Sequence, residues 1–495
     1  MVKSAFGLKG ASTDSYLASK VALEVLEEGG NAFDAAVAAS AVLSIVLPQT
    51  GGLGGDGFLL AFMDNNEVLA YASSGRAPSG LDAEEYLRLK PERGPLTVTV
   101  PGLADLWGFV NEEFCTLPLD RLLRPAILLA YNGFYAGYYL ADSSKSSEPE
   151  LRIFKWAKYF KGIEPGAYMK NREAAQTLRI IASRGWDEFY RGKIAEKFVS
   201  ELQEQGVNIS LEDMERHRGT VVKPLRLEVE DGKVLYELPP NTQGVTTLQA
   251  ISAIYELDLT KYDFKDSGRI SFWTKISEDI YAFRDLFIGD CDYMKINIGK
   301  YLTYNKVREA LSGKTLNSRV LNEGDTTFFI VSDGESTVGF IQSLAYPFGS
   351  GLVALGFPIQ NRGYGFAKKS GLPNSPAPRK RPLHTLSILG VKDAKKTYII
   401  GCAGGDWRPQ IHTRIYENIF VYGMNPAKAI DAPRFIYERT DKIFVEPGTP
   451  KPVDPKLTVK EIEGAGFVHI VVKDLKSGVS EFAADPRIEG IALAS

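Results

Sequence analysis

Cysteine and histidine are scarce in this 495-residue sequence, with three of the first and four of the second. Cys115, Cys291 and Cys402 are odd in number and far apart, which argues against a disulfide framework and a cysteine-rich metal site. His217, His384, His412 and His469 form no HExxH spacing, and no GxSxG elbow occurs. Zinc hydrolysis and serine–histidine chemistry therefore lack their signatures, and neither a metal nor another cofactor is expected. An excess of one charge is also missing. The net charge of -3 gives no general attraction to nucleic acid or acidic lipid, so neither is expected as a partner. Long hydrophobic runs are absent as well. The longest, Ala35 to Leu47, is interrupted by Ser40 and Ser44 and falls short of the roughly 20 residues a bilayer requires. It reads as a buried core helix. The opening MVKSAFGLKGASTD has no apolar signal region, which leads to the expectation of a cytoplasmic protein.

What is present is a soluble-enzyme composition, with strands near both ends and helices between and after them. Asp14 or Ser15 can cap a first helix, and Asn31 a second that ends before Pro48. TGGLGGDGFLLAFM turns into a strand, and VLAYAS returns from it. Gly52, Gly54 and Gly57 match GxGxxG literally, but the helix precedes them and a strand follows, the reverse of a dinucleotide site. PLRLEVEDGKVLYEL is a strand pair turning at Asp231-Gly232. After Gly324 come the hairpin TTFFIVSDGESTVGFIQSL, a glycine-rich stretch, the strands LHTLSILG and KTYIIGC, and the helix PQIHTRIYENIFVYG. The basic cluster Arg379 to Arg381 reads as a solvated loop.

Thr326 opens the hairpin strand directly after Asp325. With a two-residue turn at Asp333-Gly334, Ile341 lies opposite Thr326, and Ser343 is its diagonal neighbour on the same face. Gly404-Gly405 lies at a strand-to-helix turn, where backbone amides can receive an oxyanion, though a simple tight turn would read the same way.

Together these residues resemble the gamma-glutamyltransferase family of N-terminal-nucleophile hydrolases, over nearly the whole chain. The matching stretches include LASKVALEVLEEGGNAFDAAVAAS, GGLGGDGF, VPGLADLWGF, DTTFFIVSDG, PFGSGLV, RKRPLHTLS and GCAGGD. The resemblance implies an α/β protein with a four-layer αββα fold. It also implies a precursor cut between Asp325 and Thr326 into a large part, 1–325, and a small part, 326–495, intertwined as one domain. Thr326 would be the nucleophile, Ser343 its hydroxyl partner, and Gly404 and Gly405 the oxyanion hole. Thr327, Arg76, Arg381, His384, Thr385 and Gln410 would line the substrate site, with Trp407, Arg408 and His412 as further candidates.

The substrate side departs from the family pattern. The serine pair that holds the donor's carboxylate is His384-Thr385 here, the ammonium-binding asparagine is Ala345, and the aspartate falls on Gly365. This is similar to the family's acylase or amidohydrolase-like branch, and implies a small amide substrate whose acyl donor carries a carboxylate. A true gamma-glutamyltransferase or glutathione hydrolase is the nearest alternative. An uncleaved, silent homologue acting as a binding protein is another. The oligomeric state stays open.

Overall fold

The computed structural model describes residues 3–314, 321, 324–439 and 442–495. Two seven-stranded sheets form its centre. One runs, in spatial order, Ser4–Gly7, Ser480–Ala484, Val468–Asp474, Lys396–Cys402, Leu389–Lys392, Val234–Glu237, Leu225–Glu228. The other runs Ile491–Ala494, Gly10–Thr13, Asp325–Ser332, Thr337–Ala345, Asp56–Phe62, Val68–Ser73, Thr220–Val221. Both sheets therefore interleave strands from the two sides of Thr326. Lys9 and Ser495 also meet, with Lys9 N donating to Ser495 O at 3.1 Å and Ser495 N to Lys9 O at 2.9 Å.

Strand alternation sets the layers. Phe58, Leu60, Phe328, Ile330 and Ile341 of the second sheet form one buried cluster with Ile399, Val471 and Phe482 of the first. Their neighbours Leu59, Phe329, Val331 and Phe340 point the other way, into a core shared with the helix Ala32–Val46. Val391, Ile400 and Ile470 face the helices Gly244–Glu256 and Arg408–Tyr416. Sheet packs on sheet and helices cover both outer faces, which is a four-layer αββα arrangement. Glycines let the sheets approach closely. A Cβ on Gly401 would lie 2.5 Å from the Phe328 ring, and one on Gly339 would lie 2.8 Å from Ile399.

The helix Ala32–Val46 is buried along its whole length, as its apolar run requires, and Asn31 and Asp34 form a capping box at its start. Its two serines are satisfied from the sheet. Ser40 Oγ donates to Gln342, and Gln342 Nε2 donates to Ser44 Oγ at 3.3 Å. Among the described residues no helix is long and apolar enough to cross a membrane.

Of the two cap residues expected for Tyr16–Glu27, Ser15 occupies the position, and its side chain makes no capping bond. The strand expected from Leu383 begins at Leu389, because His384 and Thr385 are drawn into irregular contacts.

Candidate active site

Thr326 sits near the start of Asp325–Ser332, buried in a strand that is paired on both sides within its sheet. The hairpin loop spans Asp333 to Ser336 rather than two residues, so Phe328 pairs with Ile341 and Thr327 with Gln342. Moving the register by two keeps each residue on its face. Thr326 itself falls at the irregularity between Asp325 and Thr327, where its side chain still meets Ser343 across the strand pair.

The Thr326 hydroxyl donates to the carbonyl oxygen of Asp325 at 2.6 Å and lies 3.1 Å from Ser343 Oγ. Ser343 Oγ reaches the same carbonyl at 2.9 Å. Two arginines converge on this pair. Arg408 Nη2 donates to Thr326 Oγ1 at 3.2 Å, and Arg362 donates to Ser343 Oγ and to Thr385 Oγ1, each at 3.1 Å. Both guanidiniums are completely buried, and neither forms an ion pair with a carboxylate among the described residues. Burial lowers both of their pKa values. The result is a hydroxyl pair inside a buried cationic wall.

Asp56 stands opposite Ser343 on the neighbouring strand. Its carboxylate accepts from Gly75 N at 3.1 Å, Gly102 N at 3.0 Å and Gln360 Nε2 at 3.0 Å. His384 Nδ1 accepts from Leu386 N at 3.2 Å, which leaves Nε2 to donate to Asp56 at 3.1 Å. Burial lowers the His384 pKa well below its usual value, with Arg362 and Arg408 adding to the effect, so the ring is neutral. Burial pushes Asp56 up to about 6 against the pull of Arg362.

Gly404 and Gly405 both have positive φ, 145° and 51°, at the turn into Arg408–Tyr416. Gln243 Nε2 fixes this turn to Thr385, donating to Gly405 O at 2.8 Å and to Thr385 O at 2.9 Å. Arg284 holds Gln243 at 2.8 Å and Asp406 at 2.6 Å. Gly324 lies against the pair, since a Cβ there would come within 3.0 Å of Gly405 Cα. The chain approaching Asp325 thus crosses the glycine turn.

Thr326, Ser343, Thr385 and the glycine turn therefore come together, and other expected residues go elsewhere. Thr327 donates to Asp14, which bonds His469 Nε2 at 2.7 Å. Arg76 bonds Asp290 and Asp292 at 3.1 and 3.0 Å, and Arg381 donates to Ser74 O at 2.9 Å. These two arginines line a basic cavity of about 370 Å³ with Arg216, Arg218 and Arg379, and Thr326 does not line it. Gln410 exchanges bonds with the Tyr437 backbone at 2.8 and 2.9 Å, and His412 faces Glu237 at 3.2 Å, so both face packed neighbours. Trp407 Nε1 donates to Leu321 O at 3.2 Å, beside the chain that leads to Asp325. The sequence reading named neither Arg362 nor Asp56. Asp56 could have been suspected from its place inside the glycine turn GGLGGDGF.

A family model described as gamma-glutamyltranspeptidase matches residues 18–495. The chain is 32% identical to the glutathione hydrolase-like YwrD proenzyme of Bacillus subtilis (strain 168), with 100% of both chains covered. It is 30% identical to the oxamate amidohydrolase proenzyme of Klebsiella pneumoniae, with 96% of each covered. Among solved structures, the cephalosporin acylase from Bacillus halodurans superposes with a TM-score of 0.89 at 26% identity, over 100% of this chain and 97% of that one.

Proposed function

The chain belongs to the gamma-glutamyltranspeptidase family, and from that premise we propose that it cuts itself between Asp325 and Thr326 and uses the freed threonine as its nucleophile. Its fold is that of the N-terminal-nucleophile hydrolases, and it is an amide hydrolase or acyl transferase of that class. The observation that carries the proposal is the Thr326 hydroxyl, 2.6 Å from the carbonyl oxygen of the bond to be cut.

Once Thr326 is a chain end, its α-amine, with a reference pKa of about 7.7–8.0, can take the hydroxyl proton without help from a histidine. The oxygen attacks the acyl carbon, and the oxyanion is received by the Gly404-Gly405 turn and Arg408. The leaving amine departs with a proton. Water or an acceptor amine then releases the acyl group from Thr326.

The acyl donor carries a carboxylate, because Arg362 and Arg408 supply buried positive charge and the carboxylate opposite Ser343 has its acceptor positions filled. A donor ammonium finds poor support in this surrounding. A Cβ at Gly365 would lie 2.7 Å from Leu383 O, which leaves no room for the family's aspartate. Dicarboxylic monoamides and oxamate-like compounds fit this site better than gamma-glutamyl compounds.

Intact-mass measurement and N-terminal sequencing of fresh protein should give two polypeptides, the smaller beginning at Thr326, and Thr326→Ala should remain one chain. A stable single chain with full activity would overturn the nucleophile. Glutaryl anilide should show the higher kcat/KM against gamma-glutamyl anilide. The opposite preference would restore glutathione hydrolysis.

A further inference from the structure

The residue on the other side of the cut is arranged as carefully as the nucleophile. Asp325 is buried, and its Oδ1 accepts the backbone N–H of Thr326 at 2.9 Å, which is the nitrogen that must leave. Tyr139, on the helix Tyr138–Leu151, donates to the same oxygen. Oδ2 is buried and accepts no hydrogen bond among the described residues, so nothing on that side stabilises the charged form.

We propose that the Asp325 carboxyl is the general acid of the self-cleavage, delivering a proton to the Thr326 nitrogen as its bond to the Asp325 carbonyl carbon breaks. This rests on the reading that the chain cuts itself at this bond. Thr326 Oγ1 forms the new bond to the carbonyl carbon, and the C–N electron pair goes to nitrogen, which takes the Asp325 proton. The carboxylate regains the proton that the hydroxyl sheds, so the group is restored. Water then hydrolyses the ester, giving the Asp325 α-carboxylate and a free Thr326 hydroxyl. Without an acid the amine would have to leave as an anion, which is prohibitive in a buried site.

The surroundings keep the acid loaded. Burial pushes Asp325 up to about 7; the Tyr139 and Thr326 hydrogen bonds and Arg93 pull it down, and the charge of Asp14 raises it. Asp14 is held by His469, and Arg93 is engaged with the carbonyls of Pro347 and Gly349 and with Glu150. Arg408 reaches the junction through Thr326 Oγ1.

The test follows self-cleavage of freshly purified uncut chain by mass spectrometry from pH 5 to 9. Wild-type cleavage should slow as the pH rises through about 7, because the acid form is being lost. Asp325→Asn keeps the acceptor oxygen but cannot donate as an acid. It should cleave at least about 100-fold more slowly, within the range of general acid catalysis, while melting like Thr326→Ala. Tyr139→Phe removes a bond that favours the charged form, so its alkaline limb should move to higher pH. Asp325→Asn cleaving within a few-fold of wild type at every pH would overturn the proposal. Should that variant fail to fold, Tyr139→Phe decides, and an unmoved limb overturns it. A wild-type chain that never cleaves would instead overturn the self-processing reading, and this inference with it.

Discussion

Arg362 ties Ser343 to Thr385 and forms no ion pair with a carboxylate among the described residues, so the proposed anionic donor would complete its coordination. Arg362→Gln removes one charge-assisted hydrogen bond, worth about 1.5–3 kcal/mol, and should lower kcat/KM for glutaryl anilide roughly 10- to 150-fold. A neutral butyryl anilide should change far less. Equal losses on both donors would mean that Arg362 only braces the hydroxyl pair. Thr326, Ser343 and Gly404-Gly405 were named through the family resemblance rather than from local pattern, since a strand end or a glycine turn alone does not mark a site. Arg362 was not named, since it stands in the irregular stretch QNRGYGF, where no periodicity says which side chain points inward. Arg76 sits in a recognisable run, and the loop carries it to Asp290 and Asp292, contacts that no local pattern announces.

The strands were legible as alternating apolar runs, but their exact pairing was not. Asp333-Gly334 is a strong signal for a two-residue turn. In the structure Asp333 Oδ1 instead accepts from Glu335 N at 2.9 Å and Ser336 N at 2.7 Å, which stabilises a longer loop. Its Oδ2 accepts from Ala32 N at 2.8 Å, tying that loop to the start of the buried helix. Such a tertiary contact cannot be read from the hairpin alone. The sheet-to-sheet contact gives a prediction at this scale. Gly401→Ala would press a methyl group on the Phe328 ring, two residues beyond Thr326 on the same face. Overpacking should cost about 1–3 kcal/mol. Built into Thr326→Ala, it should lower the urea midpoint, and in the wild-type background it should slow self-cleavage. An unchanged midpoint would mean that the sheets have slack at this layer.

For the whole molecule the buried titratable groups set how stability varies with pH. Burial raises Asp56 to about 6, Asp325 to about 7 and Glu237 to about 8. It lowers His217 to about 4 and His384 and His412 well below their usual value. Each raised acid favours the fold below its unfolded pKa, and that contribution is lost as pH rises through the folded value. Each lowered histidine favours the fold above about 6.5, and that contribution is lost as pH falls. The two sets oppose each other in mild acid. Above about pH 6.5 chiefly Asp325 and Glu237 still change, so stability should fall toward pH 8 by on the order of 2 kcal/mol. Urea midpoints of Thr326→Ala, in which Asp325 stays internal, measure this directly. A flat or rising trend would contradict it.

The meeting of Lys9 with Ser495 means that the order in which the polypeptide is read is separable from the architecture it builds. Gly10–Thr13 already lies between Ile491–Ala494 and the strand that begins at Asp325, so the two distant segments are neighbours in one sheet. A short bridge between residues near these two positions, with the backbone opened before Thr326, gives a circular permutant of the same molecule. Its first residue after removal of the initiator methionine is the threonine. Translation and a methionine aminopeptidase would then do what the proposed self-cleavage does, and maturation would become a matter of gene layout rather than of chemistry inside the fold.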